Sequence, residues 1–156
     1  MATTRVKDTQ IVDRVVEILK DAGTDAGDRV YAWDSGATEE VPRINVLVDQ
    51  NQPRNEGENN RAAYIVDHRI WCVLVGSGEQ NRFAPQNDTR SVQGVLDDLE
   101  DQVMKAILKS DTTLGMDADI LRVRWSQTTS ERDNKQKIFG IKYVQFSIWS
   151  QMQLEL

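Results

Sequence analysis

One cysteine, one histidine and three prolines stand among the 156 residues, and each scarcity removes a class of protein. A lone thiol excludes intramolecular disulfides, and Cys72 lies inside the apolar run IWCVLV, where cysteine behaves as a small buried hydrophobe. The lone histidine, His68, removes multi-histidine zinc sites and makes any Ser-His-Asp arrangement hang on one residue of a predicted strand. Nowhere do eighteen apolar residues run together, and the start MATTRVKDTQ has no apolar stretch that could act as a signal core. The expectation is synthesis in the cytoplasm with no membrane partner. A basic excess is missing too: 25 acids face 19 bases for a net charge of −6. Such a surface repels phosphates and argues against gripping DNA, though not against DNA that slides past.

What is present is an ordinary globular composition, 39% hydrophobic and 28% charged, too apolar for a disordered chain. A chain this long buries roughly two thirds of its unfolded surface, so one domain over 1–156 with its own core is expected. No internal repeat or composition break divides it.

The segment DTQIVDRVVEILKDAG places Ile11, Val12, Val15, Val16, Leu19 and Ala22 at helical spacing, with Asp8 or Thr9 as N-cap and Gly23 as the stop. RVYAW (29–33) and RINVLVDQ (43–50) read as strands, punctuated between them by Gly36 and Pro42. After a polar excursion comes the long strand AYIVDHRIWCVLVG. A second helix follows, its apolar stripe running through Val92, Val95, Leu96, Leu99, Val103 and Ile107. Two final strands, ILRVRWSQ (120–127) and the stretch from 137 onward, enclose a protruding hairpin tip over 127–137. In the last strand the apolar parity is odd at Phe139, Ile141 and Tyr143, then even at Val144, Phe146 and Ile148, which predicts a bulge near Tyr143. The order α-β-β-β-α-β-β and the one-sided helices predict an α+β fold. Two layers are expected, with both helices on one face of an about five-stranded, largely antiparallel or mixed sheet.

Chemistry is sparse. The acids of DDLED place Asp97, Asp98 and Asp101 opposite the apolar stripe of the second helix, which suits a solvated face better than a carboxylate pair. Asp117 and Asp119 lack the glycine and glutamate register of a calcium loop, and the GSG at 76–78 lacks the lysine of a phosphate loop. No catalytic, cofactor-binding or metal-ligating residue is assigned, and no cofactor is expected. An aspartate–histidine pair, Asp67 with His68, is the only acid–base candidate, and removal of His68 is expected to leave assembly intact. All four tryptophans fall in predicted strands; core packing accounts for most, with one or two as interface anchors. Met104 and Leu108 lie off the apolar stripe on the acidic side of their helix, as flank residues of a broad core face or as an interface pair. The C-terminal run through Met152, Leu154 and Leu156 continues one strand parity, either adding an edge contact to a neighbouring chain or fraying.

These elements resemble a known family. The helix IVDRVVEILKDAG, the strand RVYAW, VPRINVLVDQ, a long polar excursion, RIWCVLV, the helix VLDDLEDQVMKAIL and a late hairpin are similar in order and length to the tail-terminator or tail-completion proteins of long-tailed bacteriophages, of which the lambda minor tail protein capping the tail tube is the type. The resemblance spans nearly the whole chain, but the family has no catalytic motif that fixes single positions. It implies a virion structural protein: a ring homo-oligomer, commonly a hexamer, that caps the tail tube, ends its polymerisation and presents a surface to the head-side connector or neck protein. The partners it implies are the chain itself, the tail tube protein and the connector, with DNA only passing through the lumen.

Under that resemblance the polar stretch 51–62 is expected to be a flexible arm that orders on assembly, and its balanced charges, Arg54 and Arg61 against Glu56 and Glu58, suit reversible docking. The interface candidates are therefore Arg54, Glu56, Glu58, Arg61, Met104, Leu108, Met152 and Leu154. Two other readings stay open: a different neck or tail-tube subunit, and a small-molecule enzyme or ligand-binding domain using a pocket between sheet and helices.

Overall fold

The computed structural model describes residues 3–4, 6–33, 41–48, 52–54, 63–77, 91–109, 114–116, 120–132 and 139–154; for 3–4, 52–54, 63–65, 77, 121–122, 130–132, 139 and 151–154 it describes the backbone alone. The elements are β1 (Thr3–Thr4), α1 (Asp8–Asp21), β2 (Val30–Ala32), β3 (Arg43–Val48), β4 (Gln52–Arg54), β5 (Ala63–Ser77), α2 (Val92–Lys109), β6 (Ile120–Arg132) and β7 (Phe139–Leu154). Five principal strands lie in the order β6-β7-β5-β3-β2, with β1 extending the sheet along the end of β7 and β4 pairing with β5. All pairings are antiparallel except β2 with β3, so the sheet is mixed. The predicted α+β class and the two helices on one face are what the chain adopts.

Period two on the strands meets period 3.6 on the helices in a single core. The even-numbered side chains Ile44, Val46, Ile70, Cys72, Leu74, Val144, Phe146 and Ile148 face Ile11, Val12, Val15 and Leu19 of α1 and Leu99, Val103 and Ile107 of α2. Full burial of each large aliphatic side chain contributes about 1.5–3 kcal/mol. This core is what holds the layers together.

Helix α1 starts one residue earlier than a capping aspartate would place it. Lys7 is the N-cap, its N–H donating to Gln10 Oε1 at 2.8 Å, which frees the Asp8 carboxylate for a different task. The predicted stop holds: Gly23 adopts φ +67, a left-handed conformation that glycine takes without a Cβ penalty.

The predicted bulge near Tyr143 is absent. β5 and β7 pair without a break from Ala63↔Gln153 to Ser77↔Phe139, and the register shifts lie instead in β6, between Ile120 and Arg122 and between Trp125 and Gln127. The parity change has another cause. α2 crosses β7 so closely at Gly140 that a Cβ there would stand 2.6 Å from Val92 Cγ1 and 2.7 Å from Leu96 Cδ1. The next core-facing position is Lys142, which reaches out from under the helix. Ile141 and Tyr143 are apolar because they sit on the opposite face of the sheet.

The hairpin tip also differs from expectation. β6 continues through Arg132, with Thr128 and Thr129 paired to Val144 and Tyr143, because β-branched threonines suit a pleated strand. Residues 133–138 lie outside the described set. So does most of the polar stretch 51–62, of which Gln52–Arg54 form β4.

Candidate assembly surface

Both helices pack on one side of the sheet, and among the described residues no helix lies on its other face. The odd-numbered side chains of β3, β5 and β7 occupy that face, among them Leu47, Arg69, Trp71, Val73, Ile141, Tyr143, Ser147 and Trp149, all half-buried. Trp71 and Tyr143 meet edge to face, ring centroids 6.1 Å apart and planes at 84°. That geometry sets the positive rim of one ring against the negative face of the other. Beside them Trp149 Nε1–H donates to Ser147 Oγ at 3.1 Å, and the Ser147 hydroxyl donates to Asp67 Oδ1 at 2.5 Å. Arg69 Nε donates to the second carboxylate oxygen of Asp67 at 3.3 Å. Asp67 is 1% exposed, and this bonding offsets the cost of burying its charge. At the edge, Gln127 Nε2 donates to Gln145 Oε1 at 3.3 Å.

None of the four tryptophans belongs to the core, contrary to the expectation for most of them. Trp71 and Trp149 lie on the face opposite the helices. Trp125 is 45% exposed on β6, its Nε1–H donating to Thr128 Oγ1 at 3.0 Å. Trp33, 38% exposed, follows β2 as a turn residue with φ +59 rather than ending a strand. Alternation alone assigns a strand residue to one of two faces; which face the helices cover is a tertiary fact.

On the opposite side, α2 presents its polar stripe. Asp98, Asp101, Lys105 and Leu108 are exposed, and Asp101 pairs with Lys105 at 2.8 Å. Asp97 is less free than its sequence position suggests, because it accepts from Lys142 Nζ at 2.7 Å and from Gln93 Nε2 at 2.8 Å. Those bonds hold its carboxyl below the usual carboxylate range. Lys142 is 7% exposed. Burial opposes its charge, but the bond to Asp97 and the charges of Asp97 and of Glu100, at 3.4 Å, outweigh burial and lift the ammonium above its usual range. A lysine on the core face of a strand is invisible to a hydropathy pattern; only the acids one helical turn apart on α2 hinted at a partner.

Met104 and Leu108 differ in burial. Met104 is half-buried and packs against the core, as does Val123 of the neighbouring β6, whereas Leu108 is 44% exposed. Of the other interface candidates, Arg54 contributes the backbone of β4, and Met152 and Leu154 the backbone of β7, where Leu154 pairs with Thr3. The side chains of those three residues, and Glu56, Glu58 and Arg61 entirely, lie outside the described residues, as do Asp117 and Asp119.

The Asp67–His68 pair does not exist as a unit. Neighbours in a strand point to opposite faces, and His68 enters the core side, fully buried. Its Nδ1 lies 2.7 Å from Asp8 Oδ1 and its Nε2 2.6 Å from Ser150 Oγ. A carboxylate only accepts, so Nδ1 carries the proton toward Asp8 and a neutral ring accepts from the serine. The order Ser150–His68–Asp8 is that of a hydrolase triad, but Ser150 is itself 1% exposed. Its chemistry is that of a clamp joining the start of α1 to β5 and β7. Cys72 is likewise enclosed, and burial pushes its thiol up to about 12. Among the described residues the notable cavity, about 610 Å³, is an open groove between α1 and α2 lined by Arg14, Ile18, Thr24, Gln102 and Lys105, away from His68 and from the sheet.

No family model and no curated protein matches the sequence. Among solved structures, a chain from the virion of a native gene transfer agent (GTA) particle shares the fold with a TM-score of 0.58 at 9% sequence identity, over 90% of this chain and 91% of that one. At that identity the likeness is one of fold.

Proposed function

We propose that this chain is a structural virion protein of a long-tailed bacteriophage or a particle of that kind, which assembles as a ring. In the finer form it caps the tail tube, ends its polymerisation and joins the tail to the head-side connector, with the hexamer as the expected ring. The observation that carries the reading is the placement of all four tryptophans outside the core, two of them on the sheet face opposite the described helices. Tryptophan, tyrosine and arginine are the residues that anchor protein interfaces, and a monomer gains little from displaying them together. The end-to-end likeness to a virion chain supports the same reading, as does the negative net charge, which keeps a DNA passage free of adhesive lysines. The buried serine–histidine–aspartate clamp favours a structural role over a hydrolytic one.

The discriminating experiment is mass measurement in solution combined with negative-stain imaging. A closed ring of fixed subunit number is the expected result. An open-ended tube would favour the tube-subunit reading, and a monomer at all concentrations would sink the assembly reading altogether.

A further inference from the structure

We propose that the outer edge of β6 docks a second copy of this chain, the two β6 strands pairing antiparallel across a two-fold axis so that one sheet runs through both copies. The inference goes beyond the ring reading, because an edge contact leaves the rest of each copy for ring closure and joins either two copies or two rings face to face. β6 ends the sheet on one side and, among the described strands, pairs with β7 alone. Over residues 123–129 the described groups hydrogen-bond to β7 or within β6 and to nothing else. Arg124 stands opposite Ser147, on the face away from the helices, and Trp125 opposite Phe146, on the helix face; both are exposed, so nothing lies over either face of the strand there.

Unpaired backbone along an edge is a template for a further strand, and proteins blunt it with bulges, charges or proline. The first half of β6 is blunted in this way, by register shifts between Ile120 and Arg122 and between Trp125 and Gln127 and by the exposed Arg124. From 127 to 132 the strand pairs with β7 without a break, holds no proline and carries two β-branched threonines. That stretch is the part able to accept a strand. Apolar surface collects at the same edge. Among the described residues three large hydrophobic side chains are exposed, and two of them, Trp125 and Leu108, are on this side of the molecule. α1 packs over β2 and β3 and α2 over β5 and β7, so the flank of α2 away from α1 faces β6. Leu108 follows Glu100 and Met104 at four-residue spacing on that flank, outside the groove that α2 shares with α1.

The occupant is a second copy because the edge fits itself. A two-fold axis normal to the sheet pairs one residue with its own counterpart. Centred on Thr129, the pairing sets 128 opposite 130 and 127 opposite 131, within the unbroken stretch. Threonine opposite threonine is a favoured cross-strand pair, and the charged positions 131 and 132 face Gln127 and Ser126, so like charges are not opposed. The same axis keeps both helix layers on one side of the joint sheet, where Trp125 and Leu108 of the two copies border a common groove.

Cross-linking tests the contact. Thr129 is exposed, and Thr129→Cys sets two thiols opposite each other across the axis, with the native Cys72 buried. Mild oxidation is expected to give a covalent dimer on a non-reducing gel. Arg124→Cys is the control: in this register 124 faces 134, ten positions and about 34 Å from its own counterpart, and no covalent dimer is expected. Thr129→Lys sets two ammonium groups face to face and is expected to abolish pairing at a concentration where wild type is paired, with the wild-type unfolding temperature retained. No covalent dimer from Thr129→Cys, or equal yields at 124 and 129, overturns the proposal. A closed ring that keeps its full mass in Thr129→Lys, without cross-linking at 129, overturns this contact and leaves the ring reading standing. A particle of two copies that cross-links at 129 and never grows larger supports this contact and overturns the ring reading.

Discussion

Lys142 Nζ reaches from the core face of β7 to within 2.7 Å of Asp97 Oδ1 on α2, placing a nearly buried ammonium at the seam between sheet and helix. Replacing Lys142 with methionine keeps most of the stem but removes the charge that faces Asp97 and Glu100. Because Asp97 is more than half exposed, the pair is screened, and the expected loss is about 1 kcal/mol in denaturant unfolding.

The same pair carries a signed pH dependence. The folded-state carboxyl of Asp97 is depressed, so its stabilisation is present above the ordinary aspartate range and is lost as pH falls through the folded value. The ammonium of Lys142 is raised, so its contribution is present below the ordinary lysine value of 10.5 and is lost as pH rises through the folded value. Thermal unfolding of wild type and Lys142→Met across pH 2–12 is expected to show stability curves that converge at both extremes. Parallel curves would show that the pair contributes nothing titratable.

Gly140 marks the closest approach of α2 to the sheet. Gly140→Ala sets a methyl group against Val92 and Leu96 at distances no packed carbon tolerates, and a loss of about 1–3 kcal/mol is expected. Partial recovery in a Gly140→Ala, Val92→Ala double variant, where only the Leu96 contact remains, read by chemical denaturation against Val92→Ala alone, would confirm that the cost arises at that crossing.

His68→Ala is expected to cost about 2–4 kcal/mol, since it empties a fully buried site and leaves Asp8 and Ser150 without their shared partner. Asp8→Ala and His68→Ala should be non-additive, with a coupling of about 1 kcal/mol in a double-mutant cycle. The protein that remains folded should assemble as wild type does. An intact fold with assembly abolished would assign His68 a role beyond the clamp.

Met104 and Leu108 are expected to separate when replaced singly by aspartate. Met104→Asp puts a carboxylate against the core, lowering stability by about 1–3 kcal/mol, whereas Leu108→Asp leaves the unfolding temperature unchanged and weakens the oligomer. Equal loss of stability in both would place Leu108 in the core of the fold rather than on a docking stripe.

Local periodicity was enough to place both helices, the five principal strands and the layer count. Spacing such as Ile11, Val12, Val15 and Leu19 admits one helical face, and the alternation of Val144, Phe146 and Ile148 admits one strand face. The bulge misplaced near Tyr143 and the tryptophans expected inside have a common cause: both apolar parities of a strand look alike in sequence, and what distinguishes them is whether a helix lies over one. The short β1 and β4 carry two and three residues, too few to establish a period.

The sequence by itself determined the class of fold and which residues of each helix form its buried stripe, because these depend on residue types and on spacings within one element. Tertiary structure alone decided that Asp67 and His68 serve opposite faces, that His68 finds Asp8 sixty residues away, and that Lys142 rather than a hydrophobe lies beneath α2. It also decided which aromatic residues lie outside the core. Each of these depends on which elements meet across the chain, and that is settled by the packing of all the elements together.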